Sequence, residues 1–251
     1  MNTCYNPFSL EGKTILITGA SSGIGKATAI ECSKMGASVI ITGRNKTRLE
    51  DTFSKLISNN HKAISADLTI DEQLKKLISE LPKLDGVVLC AGIGETIPLQ
   101  FASRKKVEPI FETNFFSQIE LLRLLQKKKL LETEGSVVAI SSIGGNFAIN
   151  HGNGPYGASK AALLSWMKFA ALEFAPRKIR VNCICPGMVH TPLIDNPGAV
   201  SEEDLKKYEQ SIPLQRFGEP REIALACVYL LSNASKWVTG TQLVIDGGTV
   251  L

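Results

Sequence analysis

Tyr156 and Lys160 stand four residues apart, so on a helix they share one face and reach the same space. A free tyrosine has a pKa of about 10 and is a poor base near neutral pH; a neighbouring ammonium stabilises the phenolate and lowers that value. The pair reads as a proton-transfer unit in which Tyr156 exchanges the proton and Lys160 tunes it. Ser142 falls just past the β-branched run Ser136 to Ser141, at the carboxyl end of a strand where α/β sheets bind ligands, and its hydroxyl is placed to orient a substrate oxygen. A second cluster, Thr18-Gly19-Ala20-Ser21-Ser22-Gly23-Ile24-Gly25, leaves an apolar run and opens a helix, which sets backbone N–H groups and a positive helix end against a pyrophosphate. A nucleotide-hydrolase loop would need glycine at 20 and Ser or Thr after Lys26; Ala20 and Ala27 stand there instead.

These residues need elements to hold them. Seven short apolar runs read as strands: Thr14 to Thr18, Ser38 to Thr42, Ala63 to Ala66, Gly86 to Cys90, Ser136 to Ser141, Arg180 to Cys185 and Gln242 to Ile245. Between them, helices are predicted at Gly23 to Met35, Lys46 to Ser58, Ile70 to Glu80, Lys105 to Leu131, Tyr156 to Phe174 and Pro220 to Leu231. The alternation implies an α/β fold, a Rossmann-type doubly wound sheet of seven parallel strands with helices on both faces, in one domain spanning 1–251. Met188 to Pro213 breaks the rhythm with Pro192, Pro197 and Gly198 before a short helical stretch, Ser201 to Gln210. A loop of that length is usually functional, and we expect a substrate lid over about 188–213.

The 251 residues are 44% hydrophobic and 21% charged, as in a globular protein with a sizeable core. Twenty-eight basic residues against 24 acidic ones give a net charge of +4, too small and scattered to argue for nucleic acid or a membrane surface. Lys127-Lys128-Lys129 reads as a solvated face near a helix end. No apolar stretch is long enough to span a bilayer, and the first residues lack the charged start and apolar middle of a signal peptide, so a cytoplasmic protein is expected. Six cysteines include no C-x-x-C pair. Cys183 and Cys185, in an apolar run, are read as reduced core residues on opposite faces, and no metal site is expected. His61, His151 and His190 have no carboxylate or cysteine partner at a meaningful spacing.

Gly19-x-x-x-Gly23-x-Gly25 departs from the commoner G-x-G-x-x-G spacing and resembles the cofactor loop of the classical short-chain dehydrogenase/reductase family. Further matches follow in the family's order: Ala91-Gly92 after the fourth strand, Asn114 in a long helix, Ser142 before Tyr156-x-x-x-Lys160, Pro186-Gly187 after the sixth strand, and the ending Asp246-Gly247-Gly248. The resemblance spans essentially the whole chain. It implies an oxidoreductase interconverting a ketone and a secondary alcohol by hydride transfer, with Asn114, Ser142, Tyr156 and Lys160 as the catalytic set. Lys160 would also bond the nicotinamide ribose, and Asn114 would hold a water linked to the lysine. The implied cofactor contacts are Gly19, Ser21, Ser22, Gly23, Ile24 and Gly25 around the pyrophosphate, Asp67 and Leu68 at the adenine, Ala91 and Gly92, and Pro186, Gly187, Val189 and Thr191 at the carboxamide.

Charge argues for the cofactor's identity. A carboxylate at the end of the second strand would hold the adenosine ribose and repel a 2′-phosphate. Gly43 stands there, followed by Arg44, Asn45 and Lys46, with no acid until Glu50. A guanidinium suits a phosphate, so NADP(H) is favoured over NAD(H).

Two departures from the family's pattern stand out. Cys90 replaces the asparagine that usually braces the sheet and cofactor loop, so bracing must come from elsewhere. The interval from Ser142 to Tyr156 is one residue longer than the commonest one, which leaves Ser141 as an alternative to Ser142. Ile93, Ile97, Phe147, Ile149, Met188, Leu193 and Ile194 form a candidate apolar wall for the substrate, while Asn150, His151 and Asn153 are suited to meeting polar groups. The resemblance is to 3-oxoacyl reductases, but Leu172 replaces an arginine that carrier-docking relatives show; steroid, sugar and small-alcohol substrates stay open. A non-catalytic NADP(H)-binding sensor on the same fold is the alternative. Apolar residues around the Lys105 to Leu131 and Tyr156 to Phe174 helices, including Phe115, Phe116, Leu121, Leu122, Leu163, Trp166, Phe169 and Ala170, imply a homo-oligomer, a tetramer by resemblance.

Overall fold

The computed structural model describes residues 5–58, 60–192, 194 and 202–251. The central strands are short β-branched or apolar runs with both faces covered, which is why hydrophobic residues follow one another instead of alternating; the edge strand Lys62–Ser65 buries only Ile64. In chain order the strands are β1 (Thr14–Ile17), β2 (Ser38–Gly43), β3 (Lys62–Ser65), β4 (Leu84–Leu89), β5 (Leu131–Ile140), β6 (Arg180–Pro186) and β7 (Gln242–Ile245). All pair in parallel, in the order β3-β2-β1-β4-β5-β6-β7. The order reverses between β1 and β4, and the crevice beyond their carboxyl ends is where such sheets take ligands.

The helices are α1 (Gly23–Lys34), α2 (Lys46–Phe53), α3 (Asp71–Ser79), α4 (Arg104–Phe111), α5 (Ser117–Lys127), α6 (Gly154–Phe174), α7 (Glu202–Ser211) and α8 (Pro220–Leu231). Two apolar cores lie on opposite faces of the sheet, one containing Leu16, Val87, Val137 and Val181 and the other Ile17, Val88, Val138 and Ile184. Among the described residues no helix is long and apolar enough to cross a membrane.

The structure corrects four expectations. The single helix over Lys105 to Leu131 is two helices joined by a π-turn, Glu112–Phe116, which opens three residues after Pro109; Leu131 begins β5. α2 stops at Phe53, five residues early. Cys183 and Cys185 pack into the same core, because residues two apart on a strand share a face. Of the apolar residues assigned to self-association, Leu121, Leu122, Leu163 and Ala170 belong to the chain's own core, whereas Phe116, Trp166 and Phe169 are exposed. Within the segment expected to form a lid, residues 188–190 pair with Gly218, just ahead of α8: Gly218 N–H donates to Met188 O (2.9 Å) and His190 N–H to Gly218 O (2.9 Å). Leu193 and residues 195–201 lie outside the described residues, and α7 follows them.

Candidate active site

The cleft at the switch point measures about 450 Å³, within the range of about 300–1,000 Å³ usual for small-molecule and cofactor sites. It is lined by every residue assigned to the cofactor, Arg44 by charge and the others by resemblance: Gly19, Ser21, Ser22, Gly23, Ile24, Gly25, Arg44, Asp67, Leu68, Ala91, Gly92, Tyr156, Lys160, Pro186, Gly187, Val189 and Thr191. The glycine loop suits a dinucleotide pyrophosphate because its backbone is bare and close-packed. A Cβ on Gly19, whose φ is +63°, would stand 2.8 Å from Ala91, and one on Gly23 would stand 3.0 Å from Thr191. Side-chain atoms would therefore fill the cradle that the N–H groups of the α1 end face.

Ser142 and Tyr156 come together through two glycines. A Cβ on Gly157 would lie 2.5 Å from Gly144 O, so the turn after β5 sits directly on the start of α6. Ser142 caps that turn, its Oγ accepting from Gly144 N–H at 3.1 Å, and it lines the cleft together with Tyr156. Ser141 is the inner residue: its hydroxyl donates to Lys160 O at 3.0 Å, so Ser142 is the one left facing the phenol. Lys160 is almost wholly buried, with its Nζ donating to Ile140 O at 2.8 Å and lying 5.9 Å from the Tyr156 ring centre.

Asn114 does not line the cleft. It sits behind it at the middle of the π-turn, fully buried, with Oδ1 accepting from Ile93 N–H (2.8 Å) and Nδ2 donating to Ile93 O (2.8 Å) and Ser159 Oγ (3.0 Å). Bracing next to Cys90 comes from Thr18, whose Oγ1 accepts from Cys90 N–H (2.9 Å) and Ala91 N–H (3.1 Å), and from Gln118, whose Nε2 donates to Ala91 O.

Electrostatics depart from the simple expectation of a lowered phenol. Burial pushes Tyr156 up, against the Ser142 hydrogen bond that lowers it. Burial also lowers Lys160, to about 8. The Cys90 thiol beside them is raised to about 11 by burial and is protonated at neutral pH. Asp67 caps its own turn, Oδ1 accepting from Thr69 N–H (3.0 Å) and Thr69 Oγ1 (2.7 Å), while still lining the cleft. Arg44 and Arg48 have no ion-pair partner among the described residues, although Asn45 accepts from Arg48 N–H as the α2 cap. Sequence reasoning missed Arg48, Thr18 and Gln118. Arg48 was recoverable as the residue one helical turn beyond Arg44, and Gln118 as the one a turn beyond Asn114. Of the three histidines, His61 is tied to Val39 N–H (3.0 Å) and Ile57 O (2.7 Å), and the described residues hold no cluster of three metal-ligating side chains.

A doubly wound parallel sheet with a serine, a tyrosine and a lysine converging at its switch point defines a dinucleotide-type oxidoreductase architecture, and comparisons with known proteins agree. A family model described as Enoyl-(Acyl carrier protein) reductase matches residues 19–250. The chain is 35% identical over 243 residues to the 3-oxoacyl-acyl-carrier-protein reductase FabG of Rickettsia prowazekii, covering 96% of this chain and 98% of that one. It is 32% identical over 249 residues to rat dehydrogenase/reductase SDR family member 6, covering 95% and 98%. A solved short-chain type dehydrogenase/reductase from Mycobacterium marinum superposes with a TM-score of 0.85 at 30% identity, over 97% of each chain. The chain belongs to the short-chain dehydrogenase/reductase family of oxidoreductases. Within that family its likeness is to the 3-oxoacyl reductases.

Proposed function

We propose that the protein interconverts a ketone and a secondary alcohol using NADP(H), with Tyr156 as the general acid and base. The observation that carries this reading is the meeting of Ser142, Tyr156 and Lys160 in the same cleft as the glycine loop. That geometry suits a single carbonyl oxygen, which Ser142 would orient and Tyr156 would protonate. Lys160, lowered only to about 8, still carries its charge at neutral pH and favours the phenolate left behind. Asn114 positions the Ile93 backbone behind the cleft.

A bound nicotinamide cofactor would supply or accept the hydride. The residues placed to hold it are the Gly19 to Gly25 loop, Asp67 and Leu68, Ala91 and Gly92, Lys160, and the Pro186 to Thr191 segment. Arg44, with no acid opposite it at the end of β2, favours the 2′-phosphate. The 3-oxoacyl-carrier reductases among its relatives make a 3-oxoacyl thioester the first substrate class to try. We further infer that the whole chain acts as one unit, that residues 188–213 close over substrate, and that the exposed Phe116, Trp166, Phe169 and Leu172 are covered in a homotetramer. The test is a panel of 3-oxoacyl thioesters, steroids, sugars and small ketones, run with NADPH and NADH side by side. Tight cofactor binding with no turnover on any member would favour a non-catalytic cofactor sensor instead.

A further inference from the structure

Cys90-Ala91-Gly92-Ile93 leaves β4 and passes between the phosphate loop and the catalytic helix. Side chains, not a strand ladder, hold its backbone. Thr18 takes the Cys90 and Ala91 N–H groups, and Asn114 takes both polar groups of Ile93. The Ala91 carbonyl is met by Gln118 Nε2. Gln118 lies one helical turn beyond Asn114, so two amide side chains on one face of the same helical segment grip successive parts of a single turn.

Stability alone gives no reason for a glutamine here. Gln118 is fully buried, and its Oε1 has no hydrogen-bond partner among the described residues. An unmet buried acceptor is unfavourable, whereas Leu121, Leu122 and Leu125 on the same helix are simply core residues. The donor half of the amide therefore explains the residue, through the carbonyl it holds. That carbonyl belongs to a residue with no slack: a Cβ on Gly19 would be 2.8 Å from Ala91 Cα, and a Cβ on the next residue, Gly92, would be 3.3 Å from both Lys160 Nζ and Asn114 Oδ1. Any shift of Ala91 must move the phosphate loop on one side or crowd Lys160 on the other.

We propose that Gln118 is a positioning residue: by pinning the Ala91 carbonyl it sets the spacing between the phosphate loop and Lys160, and so the affinity for the cofactor. This rests on the dinucleotide reading of the cleft. Gln118→Leu keeps the volume and removes the donor. The first readout needs no cofactor: hydrogen exchange at the Ala91 to Ile93 amides should quicken in the ligand-free variant while the rest of the sheet stays protected. The second is the dissociation constant for NADPH, followed by its fluorescence, which should rise about tenfold, with kcat at saturating cofactor changed less than about threefold. Unchanged exchange, or quickened exchange with an unchanged dissociation constant, would overturn the proposal. A wild type that binds neither NADPH nor NADH would instead defeat the dinucleotide reading, and the proposal with it.

Should Gln118→Leu fail to fold, Gln118→Glu carries the test. A buried carboxyl, held neutral by desolvation, can donate to the Ala91 carbonyl, and once ionised it cannot. NADPH affinity in Gln118→Glu should be near wild type at about pH 6 and fall by about pH 9. The wild type, in which Lys160 itself titrates near 8, should fall less over the same range, and a variant profile that only parallels the wild type counts against the proposal.

Discussion

The two ends of the cleft are built on opposite principles. At the end proposed for catalysis Lys160 and, behind the cleft, Asn114 are buried with their polar groups held by backbone, and burial has displaced the proton affinities of both Tyr156 and Lys160. At the other end Arg44, the α2 cap Asn45 and Arg48 in the first turn of α2 stand exposed, and that turn holds no acidic residue. The nearest acids are already engaged there. Asp51 is held down to about 2 by hydrogen bonds from Lys26 and Lys55, and Glu50 lies 3.9 Å from Lys46. Proton transfer demands a dry, rigid site, because dehydration is what moves pKa values and order is what aligns the transfer. Selecting a phosphate demands only unneutralised positive charge at the right place.

Changes at the buried end should therefore cost far more than changes at the exposed end. Tyr156→Phe should lower kcat by about a thousandfold or more while leaving the NADPH dissociation constant almost unchanged, since it removes the proton donor and little else. A phenylalanine variant with ordinary turnover would end the assignment. Lys160→Met should lower turnover by about a hundredfold and weaken the cofactor as well.

Stability should move the other way at Lys160. Its folded pKa of about 8 lies below the ordinary 10.5, so below about pH 8 both folded and unfolded chains carry the proton and the burial penalty, on the order of 3 kcal/mol, is present in full. Between about 8 and 10.5 the folded chain sheds its proton first, and wild-type stability should rise with pH through that window. Denaturant titrations should find Lys160→Met more stable than wild type at pH 7, with the gap narrowing toward pH 10. A gap independent of pH would show that Lys160 is not buried as a cation.

Next in size comes the exposed end. Arg44→Ala should weaken NADPH by roughly 1.5–3 kcal/mol, about ten- to a hundredfold, and affect NADH little. Equal losses for both cofactors, or a wild type that prefers NADH, would overturn the phosphate argument and erase the contrast between the two ends.

How much of this was legible beforehand follows the same division. Runs such as Val39-Ile40-Ile41 announce strands covered on both faces, and the spacing of Tyr156 and Lys160 announces a shared helix face, because both signals are local. The π-turn at Glu112–Phe116 changes only which carbonyl each N–H reaches; Pro109 was its one visible sign. The Gly144 and Gly157 approach, the Gln118 contact and the raised Tyr156 phenol join residues far apart in the chain or depend on total burial, and no local pattern reports them. Likewise Leu163 and Phe169 look alike in the sequence; only the packed structure separates the core residue from the exposed one.

The smallest expected effect sharpens the comparison at a residue that straddles both descriptions. Asp67 lines the end of the cleft proposed for the adenine, yet its Oδ1 is already occupied by Thr69 N–H and Oγ1. Asn keeps a carbonyl oxygen able to accept those two bonds, so the turn into α3 should survive Asp67→Asn with a thermal midpoint within about 2 °C of wild type. What the substitution removes is the negative charge and the acceptor character of the second oxygen. If Asp67 only shapes the turn, affinity for NADPH and NADH should change less than about twofold; if Oδ2 accepts from the adenine amino group, both should weaken together by about three- to tenfold. We expect the second outcome, smaller than the Arg44 effect because one hydrogen bond from a neutral donor is lost and not a charge pair with phosphate, and shared by the two cofactors because the adenine is common to them. A loss confined to NADPH would place Asp67 near the phosphate and contradict the charge argument made for Arg44.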